Sequence, residues 1–310
     1  MIRGFAAFLL LAGIGGAQPA APAPDFRLQQ VGKGVWAAVV NDAGLAGGNA
    51  GFVIGEDGVL VVDTFQDPRP AEALLGEIRK LTPLPIRFVV NTHYHLDHVN
   101  GNDIFAAGAT IVAHPNVRAW MHTENIKMLD PPVTAEKKAR VESLPLPSVT
   151  IAHDADLYLG ARRVNVRYFP GHTGGDLVVW VPDAHVVFCG DMLWKQHVPN
   201  LIDASTGPWV ESLDAMQKAY GASRWIPGHG DVADEQDVRT FRKYLADLRA
   251  NVKRERAAGK SGDALVQALL PEMKAQYGGW GFFNDYAAIG IEQTAEELGG
   301  TKRLPPNPAR

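Results

Sequence analysis

The chain has 310 residues, 46% of them hydrophobic, and a net charge of −4. That length can bury a full core as one large domain or one domain with an appendage, and the mild acidic balance excludes an electrostatic footprint for nucleic acid. The single cysteine, Cys189, excludes an intramolecular disulfide, so stability must come from other interactions.

Met1 to about Ala21 reads as an export signal. Arg3 is its basic start, Phe5 to Ile14 is an apolar run too short to span a bilayer, and Gly15-Gly16-Ala17 offers small residues for cleavage. The expectation is a periplasmic or secreted protein with no membrane attachment after cleavage. Residues 22–30 follow a Pro/Ala-rich start and are expected to be a flexible lead-in.

Val35 to Val40 reads as a strand, and Gly44 to Gly51 carries the glycines of a turn. Gly51–Ile54 and Val59–Asp63 read as a hairpin around Glu56-Asp57-Gly58. The unbroken apolar run Val59 to Val62 points to a strand buried on both faces. Leu74, Leu75, Ile78 and Leu81 have helical spacing over Pro70–Leu81, and Ile86 to Val90 is the next strand. This strand-helix-strand order indicates a layered α/β domain.

A short helix is expected over Asn102–Ala107, a strand over Thr110–His114 and a helix over Val117–Leu129. Prolines at 131, 132, 145 and 147 bracket a charged stretch, Glu136 to Glu142, read as an insertion acting either as a lid or as a surface excursion. Strands follow at Arg163–Phe169, Leu177–Val181, Val186–Phe188 and Arg224–Ile226, with a helix at Pro208–Tyr220. Val238 to about Ala257 is an amphipathic helix with Phe241, Tyr244, Leu245 and Leu248 on one face. Asp263–Leu270 is expected to be helical and to stop at Pro271, and a last helix to run from Tyr286 to Leu298 after the aromatic cluster Trp280, Phe282, Phe283 and Tyr286.

The stretch Asn91 to Gly101 packs His93, His95, Asp97 and His98 into six residues. Imidazole and carboxylate are good ligands for a borderline divalent ion. In an extended segment His93 and His95 point to one side. Asp97 and His98, at a turn, can face a second point, so one segment can serve two ions. Three more polar residues sit where an apolar strand meets glycines: His172 in Pro170–Gly175, Asp191 in Cys189–Met192, and His229 in Pro227–Gly230.

His-x-His-x-Asp-His after the strand Ile86–Val90 resembles the metallo-β-lactamase superfamily of binuclear zinc hydrolases, and the resemblance runs from about Val31 to Asp231. It implies an α/β fold, a four-layer αβ/βα sandwich with the metal site at the strand ends. Residues 31–258 would form the catalytic domain, with 259–310 a helical and aromatic extension packed on it. It further implies two Zn2+ ions, with iron or manganese as the other candidates. His93, His95 and His172 would hold the first ion, Asp97, His98 and His229 the second, and Asp191 would bridge them. Asp63 resembles an aspartate that braces the metal-binding loop. Asp97 would be the catalytic residue, orienting an attacking hydroxide bridged between the ions. The substrate would be a small molecule attacked at a carbonyl. β-Lactamase-type activity leads. The alternatives are a lactonase or a glyoxalase II-like thioesterase, which Asp191 favours, and a mononuclear iron persulfide dioxygenase of the same fold. The Trp194–Trp209 segment is expected to wall the pocket, with Lys195 and His197 as candidates to reach substrate.

Overall fold

Runs of β-branched residues build two sheets. The computed structural model describes residues 24–41 and 44–306, so the expected export signal at 1–21 lies outside the described residues. Strands β1 (Phe26–Gly32), β2 (Val35–Val40), β3 (Ala50–Ile54), β4 (Val59–Val62), β5 (Ile86–Val90), β6 (Thr110–Ala113) and β7 (Val149–Thr150) lie side by side in chain order. The first four are antiparallel and the pairs from β4 to β7 are parallel. The second sheet has the order β12-β11-β10-β9-β8, from β8 (Asp154–Leu159), β9 (Arg162–Tyr168), β10 (Leu177–Val181), β11 (Val186–Trp194) and β12 (Arg224–His229). Only its β11–β12 pair is parallel.

Side chains alternate across a strand, so each sheet buries both faces. In β4, Leu60 and Val62 join Val35, Val90, Val164, Val179 and Ile226 between the sheets, whereas Val59 and Val61 face outward. Helix α1 (Pro68–Leu81) covers that outer face with Ala71, Leu74 and Ile78, and Asp67 caps it by accepting the Arg69 N–H. Helices α2 (Leu96–Val99) and α3 (Asn102–Phe105) follow β5. After β6 come α4 (Pro115–Trp120), α5 (Thr123–Lys127) and α6 (Ala135–Glu142). The second sheet is covered by α7 (Thr206–Tyr220), α8 (Glu235–Ala257), α9 (Gly262–Tyr277) and α10 (Phe283–Gly299), whose apolar sides share one core with Val178, Val187 and Trp225. The layers are helix, sheet, sheet, helix. No helix among the described residues is long and apolar enough to cross a membrane.

Several expectations are corrected. Residues 26–30, expected to be flexible, belong to β1 and pair with β2, because Phe26 and Val31 bury their side chains. Pro271 does not stop α9, which runs on to Tyr277. A proline inside a helix costs about 3 kcal/mol. Burial of Met273 and Tyr277 beyond it contributes roughly 1.5–3 kcal/mol each, enough to offset that cost. Two short helices replace the single one expected over 117–129. The 131–147 segment is fastened down: Arg140 pairs with Asp103 at 2.8 Å and donates to Asn100, and Leu144 is buried beside Tyr94 and Trp120.

Candidate metal centre

Every expected ligand lies at the same edge of the two sheets. The parallel strands β5, β11 and β12 end there, and so does the loop between β9 and β10. Open α/β sheets place their functional groups at such carboxyl ends. His93 follows β5 in a bend and His95 in extended backbone, while Asp97 and His98 lie on α2 rather than at a simple turn. His172 sits in the β9–β10 loop. That loop is held by Asp176, which accepts hydrogen bonds from the Thr173 N–H and hydroxyl.

Asp191 is inside β11, not after its end as the sequence reading has it. The strand breaks register at Gly190, where φ is +50°, and continues to Trp194. A Cβ at Gly190 would stand 2.3 Å from Thr92 Oγ1. A Cβ at Gly228, in the Pro-Gly-His-Gly stretch, would stand 1.8 Å from Asp191 Oδ1. These two glycines therefore hold open the space that the Asp191 carboxylate and the Thr92 hydroxyl fill.

The seven residues converge in two sets. His93, His95, His172 and Asp191 have ligand atoms within 4.8 Å of one another, and so do Asp97, His98 and His229. Asp191 divides its oxygens between them. Oδ2 lies 3.7 Å from His93 Nε2 and 3.2 Å from His172 Nε2. Oδ1 lies 3.1 Å from His98 Nε2 and 3.5 Å from His229 Nε2. Asp97 Oδ2 faces His98 and His229 at 3.5 and 3.3 Å.

Buried polar atoms are normally paired. Here His93 Nε2, His98 Nε2, His229 Nε2 and Asp191 Oδ1 are buried with no hydrogen-bond partner. His95 Nδ1 and His172 Nε2 face each other at 3.0 Å. Converging imidazole lone pairs around two carboxylates suit divalent cations better than any hydrogen-bonded arrangement of the same groups. The donor set, imidazole nitrogen with carboxylate oxygen, fits zinc.

Charge completes the picture. Burial alone would raise the Asp191 carboxyl, but His229, His98, His93 and His172 outweigh it and hold it well below the ordinary range. Asp97 is likewise held well below that range, His98 and His229 overcoming burial. Burial depresses imidazole basicity, yet Asp97, Asp191 and Asp63 drive His98 well above its ordinary value, and Asp191 and Asp97 raise His229 to about 9. His172 falls to about 3, mainly through burial.

A buried outer layer aims the ligands. Asp63 Oδ1 accepts the Thr92 N–H at 2.8 Å, and its Oδ2 accepts the Thr92 hydroxyl at 2.7 Å and meets His98 Nδ1 at 2.9 Å. Burial raises the Asp63 carboxyl, with His98 and Thr92 opposing. Asn91 and Asn102 exchange two amide hydrogen bonds of 2.9 Å. Asn49 accepts the Val40 N–H and donates to Pro227 and Gly230, on either side of His229. Asn49 and Asn102 are therefore clamps on the ligand loops. Asp203 was missed altogether: it lies 3.4 Å from His95 Nε2 and accepts the Tyr94 hydroxyl, leaving Nδ1 as the ligand atom of His95. No motif surrounds Asp203 in the chain. Only the fold carries it to His95.

Lys195 points away from the centre, bound to Val232 O and Asp237 at 2.9 Å each. Cys189 is buried and outside both sets, and burial pushes its thiol up. Trp194 stacks on His229, ring centroids 3.9 Å apart.

Known proteins are similar to this chain. The family model for the Metallo-beta-lactamase superfamily matches residues 43–229, more than half of the chain. This chain belongs to that superfamily. Its members are metal-dependent hydrolases. A linear primary-alkylsulfatase of Pseudomonas sp. is 24% identical over 265 residues, 71% of this chain but only 50% of the sulfatase. A hydroxyacylglutathione hydrolase of Brucella anthropi is 27% identical over 255 residues, covering 77% of this chain and 87% of that protein. Among solved structures, a metallo-beta-lactamase from Pontibacter korlensis superposes with a TM-score of 0.59 at 22% identity, covering 72% of this chain and 99% of that one. That likeness bears out the expected sandwich fold.

Proposed function

We propose that this protein is a binuclear zinc hydrolase of carbonyl compounds, acting on a lactone, ester or thioester. The observation that carries the reading is the division of the Asp191 oxygens between two imidazole sets. His93, His95 and His172 would hold one ion and Asp97, His98 and His229 the other, with Asp191 shared. When bound, the ions polarise a carbonyl oxygen and make a water acidic enough to attack near neutral pH.

The protein's own groups set the rest. The Asp97 side chain is 23% exposed against 2% for Asp191, so it is the carboxylate of the centre that meets incoming water. As an ionised acceptor it orients the attacking O–H. The water oxygen bonds to the carbonyl carbon, the bond to the leaving oxygen or sulfur breaks, and the water's proton ends on the leaving group. Asp63 and Asp203 keep the ligand imidazoles turned to one tautomer. With Lys195 directed outward, the segment after Asp191 offers no ammonium to the carboxylate of a β-lactam, which ranks lactam hydrolysis behind the ester-like reactions. The two-set geometry also speaks for two ions rather than the single iron of a persulfide dioxygenase. Export is proposed with this reading on the N-terminal sequence alone.

The test is a panel of lactone, thioester, nitrocefin, phosphodiester and primary alkyl sulfate, each with and without chelator, alongside metal analysis. Two zinc ions per chain with chelator-sensitive lactone or thioester turnover is the expected result. One iron per chain, or turnover confined to phosphodiester or sulfate, overturns the proposal.

A further inference from the structure

The C-terminal extension reaches the metal centre, which the proposed chemistry does not require. Two backbone hydrogen bonds fasten Gly281 to the loop that follows the Asp191 strand: Gly281 N–H to Gln196 O and Val198 N–H to Gly281 O, both 2.9 Å. The next residue, Phe282, has φ +57° and ψ +14°, left-handed backbone that a bulky side chain adopts only under strain. Strain of this kind persists where surrounding structure enforces it and gathers at binding sites.

The bend sets the Phe282 ring against the centre. Its centroid is 5.8 Å from that of His229, edge-on, 6.1 Å from Trp194 and 5.1 Å from His197. Tyr286, four residues on, lies on the same face of α10. Its ring is 5.9 Å from Phe282 and 6.4 Å from Trp194. Tyr286 is half-buried, and no hydrogen bond within the protein engages its hydroxyl among the described residues. After burial, Asp97 and Asp191 are the strongest influences on that hydroxyl, followed by Asp285 and Asp130, and together they raise its pKa. Burial and those carboxylates keep the phenol protonated. Trp194, Phe282 and Tyr286 carry no charge.

We propose that Trp194, Phe282 and Tyr286 form the specificity wall of the site, receiving the uncharged aryl or alkyl portion of a carbonyl ester, lactone or thioester, with the Tyr286 hydroxyl as its hydrogen-bond donor. This deepens the carbonyl-hydrolase reading and rests on it. An anionic group in that portion of the substrate leaves water and finds no counter-charge on the three rings, whereas an apolar group gains ring contact and loses nothing.

The test compares phenyl acetate with its para-carboxylate analogue on the zinc-loaded full chain. Wild type is expected to favour phenyl acetate at least ~10-fold in kcat/KM. Phe282→Asn removes the ring while keeping a residue that tolerates left-handed backbone; it should erase the preference, mostly through KM. Tyr286→Phe should lower kcat/KM about 5- to 10-fold, the worth of one neutral hydrogen bond. Zinc content is expected to stay at the wild-type value in both. Independently of turnover, benzyl alcohol binding measured by calorimetry should weaken about 10-fold in Phe282→Asn. Equal or better hydrolysis of the carboxylated ester, or variants that change neither preference nor benzyl alcohol binding, overturns the wall. Ring-dependent benzyl alcohol binding without turnover of any carbonyl substrate supports the wall and sinks the carbonyl reading instead.

Discussion

Asp63→Asn isolates the aiming of one ligand from its presence. Asparagine keeps the shape of aspartate and tolerates the left-handed backbone at this residue, where φ is +57°. The amide oxygen still accepts the Thr92 N–H, now at 2.8 Å from Asp63 Oδ1. The amide nitrogen then takes the place of Oδ2, which meets the Thr92 hydroxyl and His98 Nδ1. A hydroxyl can rotate to accept. His98 Nδ1–H cannot stay opposite an N–H donor, so the ring favours the other tautomer, with the proton on Nε2. That nitrogen is the one turned toward Asp97 and Asp191. Changes of this kind beside a ligand typically cost 10- to 100-fold in metal affinity, or about 1.4–2.7 kcal/mol at 1.36 kcal/mol per decade. The loss should fall on the set of Asp97, His98 and His229 and spare the other. Zinc titration against a graded chelator series reads both affinities, with circular dichroism to verify folding. Two sites of unchanged affinity, or equal weakening of both, would refute the tautomer argument.

Asp191→Asn should bind one zinc instead of two and lose at least ~100-fold in activity, because an amide presents an acceptor to only one of the two imidazole sets; metal analysis with kinetics checks it. Chelation should lower the unfolding midpoint, since a ligand bound only to the folded state stabilises it by mass action; calorimetry showing no shift would contradict the assignment. Zinc uptake near pH 7 should release protons, because His98 and His229, the latter held to about 9, are protonated there and must surrender those protons to bind. Affinity should therefore climb as pH rises toward about 9, and calorimetry in buffers of different ionisation enthalpy counts the protons.

Local pattern made much of this protein legible. The run Val59–Val62 shows β4 buried on both faces, and the spacing of Phe241, Tyr244, Leu245 and Leu248 shows the inner face of α8. Six residues around His95 expose a ligand cluster because metal chemistry concentrates rare side chains. What local pattern cannot carry is competition between distant terms. β1 forms because Phe26 and Val31 find partners across the sheet, and α9 passes Pro271 because Met273 and Tyr277 bury against other helices.

By itself the sequence determined the layered α/β class, most of the elements and the candidate ligands, since these follow from side-chain periodicity and from which atoms can bind a cation. Tertiary structure alone decided that the ligands split into two sets around one carboxylate, that Asp203 braces His95, that Lys195 turns away, and that Phe282 and Tyr286 stand beside the centre. Those facts depend on angles and distances between residues up to about two hundred positions apart, and chain order does not encode them until the core has folded.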